Sequence, residues 1–114
     1  MQNNQPNYLR HEKLRVWHEA IALVKLVKQE RIANAELRDQ AMRAVTSVAL
    51  NIAEAANRGN RSAANQFRIA QGSAGEVAGA YDVAVALGDS VDAASVKVLA
   101  GRITAMLNGL ARAG

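Results

Sequence analysis

From Ala41 onward, apolar residues return at alternating intervals of four and three: Ala41, Val45, Val48, Ile52, Ala55. That spacing turns all five to one side of an α-helix, where a core must meet them. Ala49, Ala53 and Ala56 stand between them. Alanine keeps helix propensity high and lets a neighbouring backbone come close. A second stripe, Gln40, Ala44, Ser47, Asn51, Glu54 and Arg58, is mostly polar. Gly59 and Asn60 follow, residues suited to stopping a helix because glycine accepts a positive φ. Ser62 is placed to cap the next helix through an orphan N–H. There Phe67, Ala70, Ala74, Val77, Tyr81 and Ala84 repeat the same alternation. The centre of the chain thus reads as a helical hairpin with a tight, basic link.

The flanks carry the same period. A first helix is expected from His11 or Glu12 to about Arg31, with Leu14, Trp17, Ile21 and Val24 as its core stripe. Val16, Ala20, Leu23, Leu26 and Val27 widen its apolar surface beyond half the circumference. A helix of that kind is usually covered on two sides, here by the core and by a partner subunit. Asn34 is the expected N-cap of a second helix, from about Ala35 to Arg58. A third runs from about Ala63 to Leu87 and ends at Gly88 and Asp89. Gly72, Gly75 and Gly79 interrupt it, each at a cost of about 1 kcal/mol against alanine. Close approach of another backbone, or a kink, would account for them. Asp89 or Ser90 caps a fourth helix, from about Asp92 to Ala111, with Val96, Leu99, Ile103, Met106 and Leu110 inward. Four amphipathic helices joined by short links predict an all-α, up-down-up-down antiparallel four-helix bundle. At 114 residues the chain is one domain, residues 11–114, behind a flexible polar arm of residues 1–10.

Several function classes fall away. There is no cysteine, hence no disulfide framework and no thiolate metal site. No stretch is apolar enough to cross a membrane and no signal-peptide core is present, so the expected location is cytoplasmic. His11 and His18, with Glu12 or Glu19 nearby, are expected to be surface residues and not metal ligands; no cofactor is expected. A di-iron bundle needs E-x-x-H pairs, and none occurs. Without a phosphate-binding loop or a nucleophile beside a base, no enzyme is expected. Glu54 is expected to pair with Arg58 one turn on.

What remains is charge. The net +4 and a pI near 10 favour polyanionic partners, RNA or DNA. Arg38, Arg43, Arg58, Arg61 and Arg68 bracket the central hairpin, and the planar guanidinium suits phosphate. Aromatics are only 4% of the chain, too few for reading bases by stacking, so binding would be to backbone and shape. The stripe Gln40, Ser47, Asn51 and Glu54 suits hydrogen bonds between helices or between subunits.

The hairpin residues also resemble a known family. Leu37, Gln40, Arg43, Ala44, Ser47, Val48, Asn51, Ile52, Ala53 and Glu54 fit the pattern L-x-x-Q-x-x-R-A-x-x-S-[IV]-x-x-N-I-A-E-G of bacterial four-helix proteins encoded within 23S ribosomal RNA intervening sequences. Ile69, Ala70, Gly72, Ser73 and Glu76 fit its later motif, and Leu14, Val16 and Trp17 its opening. The family glycines after N-I-A-E are Ala55 and Asn57 here, and the turn is about one residue shorter. The resemblance implies a bundle that works as a homo-oligomer. The family is similar to accessory bundle proteins of diversity-generating retroelements, whose pentameric, basic barrels are thought to bind nucleic acid and a reverse transcriptase. Two functions follow as expectations: a homo-oligomeric protein binding structured RNA through the arginines, or an oligomeric scaffold for another protein with incidental charge.

Overall fold

The computed structural model describes residues 9–58 and 63–113. The expected arm is largely outside them, as are Gly59, Asn60, Arg61 and Ser62, with the stop and cap expected there. A 3-10 turn, Arg10–Lys13, leads into α1 (Arg15–Gln29), α2 (Ala35–Arg58), α3 (Ala63–Ala86) and α4 (Ala93–Ala113). No strand occurs among the described residues. Each helix lies against its sequence neighbours, α4 closes back onto α1, and the backbones of the diagonal pairs α1–α3 and α2–α4 stay apart. This is the up-down-up-down four-helix bundle.

Eleven of the twenty-five buried hydrophobic residues are alanine, so the core is thin and depends on helices lying close together. On α2 and α3 every expected core residue is buried, from Ala41 to Ala55 and from Phe67 to Ala84. On α1 the expected stripe is displaced. Val16, Ala20, Leu23 and Val27 are buried, whereas Leu14, Trp17 and Val24 only pack at its margin and Ile21 is half-exposed. The two stripes share one period and differ by one residue, about 100° of rotation, so spacing could not separate them. Close packing favours the register that turns the smaller Val16 and Ala20 inward and leaves the Trp17 indole at the edge against His11. On α4, Leu107 and Ala111 complete the buried stripe in place of Met106 and Leu110.

The helix ends use local chemistry. Asn34 caps α2 as expected, its Oδ1 accepting the Leu37 N–H at 2.9 Å. Gly88, at φ +93°, ends α3: its N–H bonds the Val85 carbonyl and the Asp89 N–H the Ala84 carbonyl, a paired closure that needs the left-handed conformation. Asp92, and neither Asp89 nor Ser90, caps α4, accepting the Ser95 N–H and hydroxyl. Asp89 instead accepts the Ala33 N–H at 2.8 Å from the α1–α2 link. Glu30 accepts the Asp92 N–H, and the Arg38 guanidinium donates to the Ile32 and Ala33 carbonyls. The two links at this end are thereby fastened together.

Tyr81 completes that fastening from inside. Its ring is buried in the core and its hydroxyl donates to the Glu30 carbonyl at 2.6 Å and the Val27 carbonyl at 3.1 Å, both orphaned by the end of α1. Burial, then the nearby Glu30 and Asp89 carboxylates, push its pKa up to about 12. Tyr81→Phe should cost about 1 kcal/mol and lower Tm by about 4–8 °C. The phenol titrates near 10 when unfolded and higher when folded, so its contribution is full below pH 10 and falls as pH rises toward 12. Thermal melts at pH 8 and pH 11 should show the stability gap between wild type and Tyr81→Phe shrinking at the higher pH.

The glycines of α3 do not serve close packing within the chain. A side chain added at Gly72, Gly75 or Gly79 meets nothing within 4 Å, and all three positions face outward. Gly79→Ala should stabilise the isolated chain by about 1 kcal/mol in a thermal melt. A loss of stability instead would mean that another backbone lies against this face.

Candidate nucleic-acid interface

The polar stripe of α2 divides in two. Ser47 turns toward α3, where its hydroxyl and that of Ser73 lie 2.8 Å apart. The Asn51 carboxamide donates to the Ser47 carbonyl at 2.9 Å and to its hydroxyl at 3.1 Å. This small network, with Ser73 buried, links the two helices. Gln40 and Glu54 are exposed outside it. Glu54 pairs with Arg58 at 3.3 Å, the expected one-turn pair, worth only a few tenths of a kcal/mol at such exposure. Ser73 is the partner that the spacing alone did not reveal.

The four described arginines do not gather in one patch. Arg38 sits in the first turn of α2 and is engaged by the Ile32 and Ala33 carbonyls, at the opposite end of the bundle from Arg58. The length of α2 separates the two, about 30 Å at 1.5 Å per residue. Arg43 is exposed at mid-helix, Arg58 closes α2, and Arg68 is exposed in the second turn of α3, at the Arg58 end. Arg61 lies outside the described residues.

At the Arg58 end the 3-10 turn is held by Asn57. Its Oδ1 accepts the Arg10 N–H at 3.1 Å, and its amide group donates to the Ala53 carbonyl and to His11 Nδ1, both at 2.8 Å. Glu12 accepts the Leu9 N–H, and His18 Nε2 bonds the Glu12 carbonyl. The two histidines are therefore tied into the N-terminal segment. Among the described residues no group of three His, Asp or Glu side chains could hold a metal. A cleft of about 410 Å³ between the start of α1 and the end of α4 is lined by Leu14, Val16, Ala105, Met106, Gly109 and Leu110, with Arg15 its one charged residue.

A family model for the 23S rRNA-intervening sequence protein matches residues 12–109. The chain belongs to that family. The match spans all four helices and stops short of Arg10 and Arg112. No curated protein matches the chain in sequence. Within the family pattern Asn57 stands where the resemblance has glycine, and a glycine there has no side chain with which to hold the 3-10 turn. Asn57→Gly should therefore release the segment without unfolding the bundle. Tryptic cleavage after Arg10 and Lys13 is expected to speed up about tenfold, the worth of two lost hydrogen bonds, while the melting temperature changes little.

Proposed function

We propose that this protein is a non-enzymatic homo-oligomer that binds nucleic acid, with structured RNA the favoured class. One observation carries the reading: positive charge is left over after internal pairing. Thirteen lysines and arginines lie in the described residues, and three ion pairs engage Arg58, Lys97 and Arg102. α4 carries three cations and no acid. The family's association with ribosomal RNA intervening sequences points the same way. With one Phe, one Trp and two Tyr in the chain, recognition would rest on phosphate charge and helix shape.

The homo-oligomer is supported by what a single bundle leaves uncovered. Leu14 at the N-cap of α1 and Trp17, Ile21 and Val24 along it are partly exposed, and Leu50, Ile69 and Val83 are exposed on α2 and α3. These apolar residues also favour the second reading, an oligomeric scaffold for another protein such as a reverse transcriptase. Light scattering fixes the subunit number, with five expected from the resemblance. Fluorescence anisotropy with an RNA duplex at 50 and 200 mM salt then separates the readings. Nucleic-acid binding predicts an affinity that drops steeply with salt and is lost in Arg58→Glu/Arg61→Glu/Arg68→Glu with the oligomer intact. A stable oligomer that ignores RNA at low salt would leave the scaffold as the better account.

A further inference from the structure

The charge of this bundle is distributed unevenly along its axis. Taking the two outermost turns of every helix with the adjoining described links, the end holding the 3-10 turn carries six cations: Arg10, Lys13, Arg15, Arg58, Arg68 and Arg112. Three acids oppose them, Glu12, Glu19 and Glu54, a surplus of +3. The other end carries five cations, Lys25, Lys28, Arg31, Arg38 and Lys97, against six acids, a balance of −1.

The acids at the two ends also do different things. At the far end Glu30, Asp89 and Asp92 accept backbone N–H groups that fasten the links, and Asp82 pairs with Lys97 at 2.9 Å. Carboxylates are thus built into that end. At the near end Glu12 is taken by the Leu9 N–H, Glu19 by Arg102 and Glu54 by Arg58. Lys13, Arg15, Arg68 and Arg112 form no ion pair among the described residues, and all are exposed. The remaining stretches, residues 1–8, 59–62 and 114, add no acidic side chain. On the α4 flank Arg102 and Lys97 are already paired, which leaves Arg112 as its open cation.

We propose that nucleic-acid phosphates dock on this end of the bundle, across Arg68 of α3, Arg112 of α4 and the basic 3-10 turn that Asn57 holds beside Arg58. This rests on the nucleic-acid reading above and narrows the contact surface to one end of the molecule, leaving out Arg38 and Arg43. Four chain segments converge there, so phosphates spaced along a strand meet cations from separate elements. The ends are about 30 Å apart, several screening lengths at physiological salt, so a charge at one end is nearly unseen at the other.

The test is anisotropy titration of an RNA duplex of about 20 base pairs, long enough to span successive grooves, with full-length protein at several salt concentrations. Arg68→Glu/Arg112→Glu reverses two charges at the proposed surface. Lys28→Glu/Arg31→Glu makes the same change in net charge at the other end, on exposed side chains that form no ion pair among the described residues. The first variant should lose at least about tenfold in affinity and flatten the log–log salt slope by about two. The second should lose less than about threefold. Equal losses in both, or the larger loss in the second, would overturn the placement while leaving RNA binding itself established. Wild-type protein that fails to bind at low salt would overturn the nucleic-acid reading and the placement together. Circular dichroism and light scattering on both variants control for a folding effect; all four side chains are exposed and none forms an ion pair among the described residues.

Discussion

The Ser47 and Ser73 hydroxyls come within 2.8 Å because the residues flanking them on the inner faces of α2 and α3 are small. Ala44, Val48, Ala70 and Ala74 bring the two backbones together, and the rest of the bundle follows from that closeness. Alanine buries little surface, so a core of this kind gains its attraction from many short contacts between backbones and not from large side chains. It also leaves little space for bulk. Trp17 is pushed to the margin, and Tyr81 is admitted where its hydroxyl has two carbonyls to bond. The Ser47–Asn51–Ser73 network adds direction to a surface that alanine alone would leave free to slide.

α1 is attached differently from the other three helices. It is the shortest, and polar groups at its two ends do much of the fastening. At one end Tyr81 holds its last carbonyls while Asp89, Glu30 and Arg38 knit the links. At the other Asn57 holds the turn that precedes it. Between those clasps α1 presents a second apolar stripe that the single bundle covers only in part. That exposure and the polar clasps have one origin: a core too thin to enclose a helix that is apolar on more than half of its surface.

The fold was legible in the sequence wherever one stripe stood alone. On α2 and α3 the alternation of four and three picked out every core residue, and Asn34 and Gly88 marked helix ends through chemistry specific to asparagine and glycine. On α1 two adjacent stripes had equal periodicity, and the decision between them came from side-chain volume across the core, a tertiary property. Asp89 and Asp92 are similar as caps in sequence, yet only the meeting of two links assigns Asp92 to the helix and Asp89 to Ala33. The candidate interface was less legible for the same reason. Arg38 and Arg68 bracket one hairpin in sequence but stand at opposite ends of the bundle, whereas Arg68 and Arg112 are far apart in sequence and share an end. Antiparallel topology, not proximity in the chain, sorts the charges.

The most direct check of where this molecule meets its ligand is an NMR titration of isotope-labelled protein with a short RNA duplex, following the arginine Nε–Hε signals. The account predicts that shifts concentrate at Arg10, Arg15, Arg58, Arg68 and Arg112 and leave Arg31 and Arg38 unmoved. Shifts centred on Arg31, or confined to Arg43 on the outer face of α2, would contradict it.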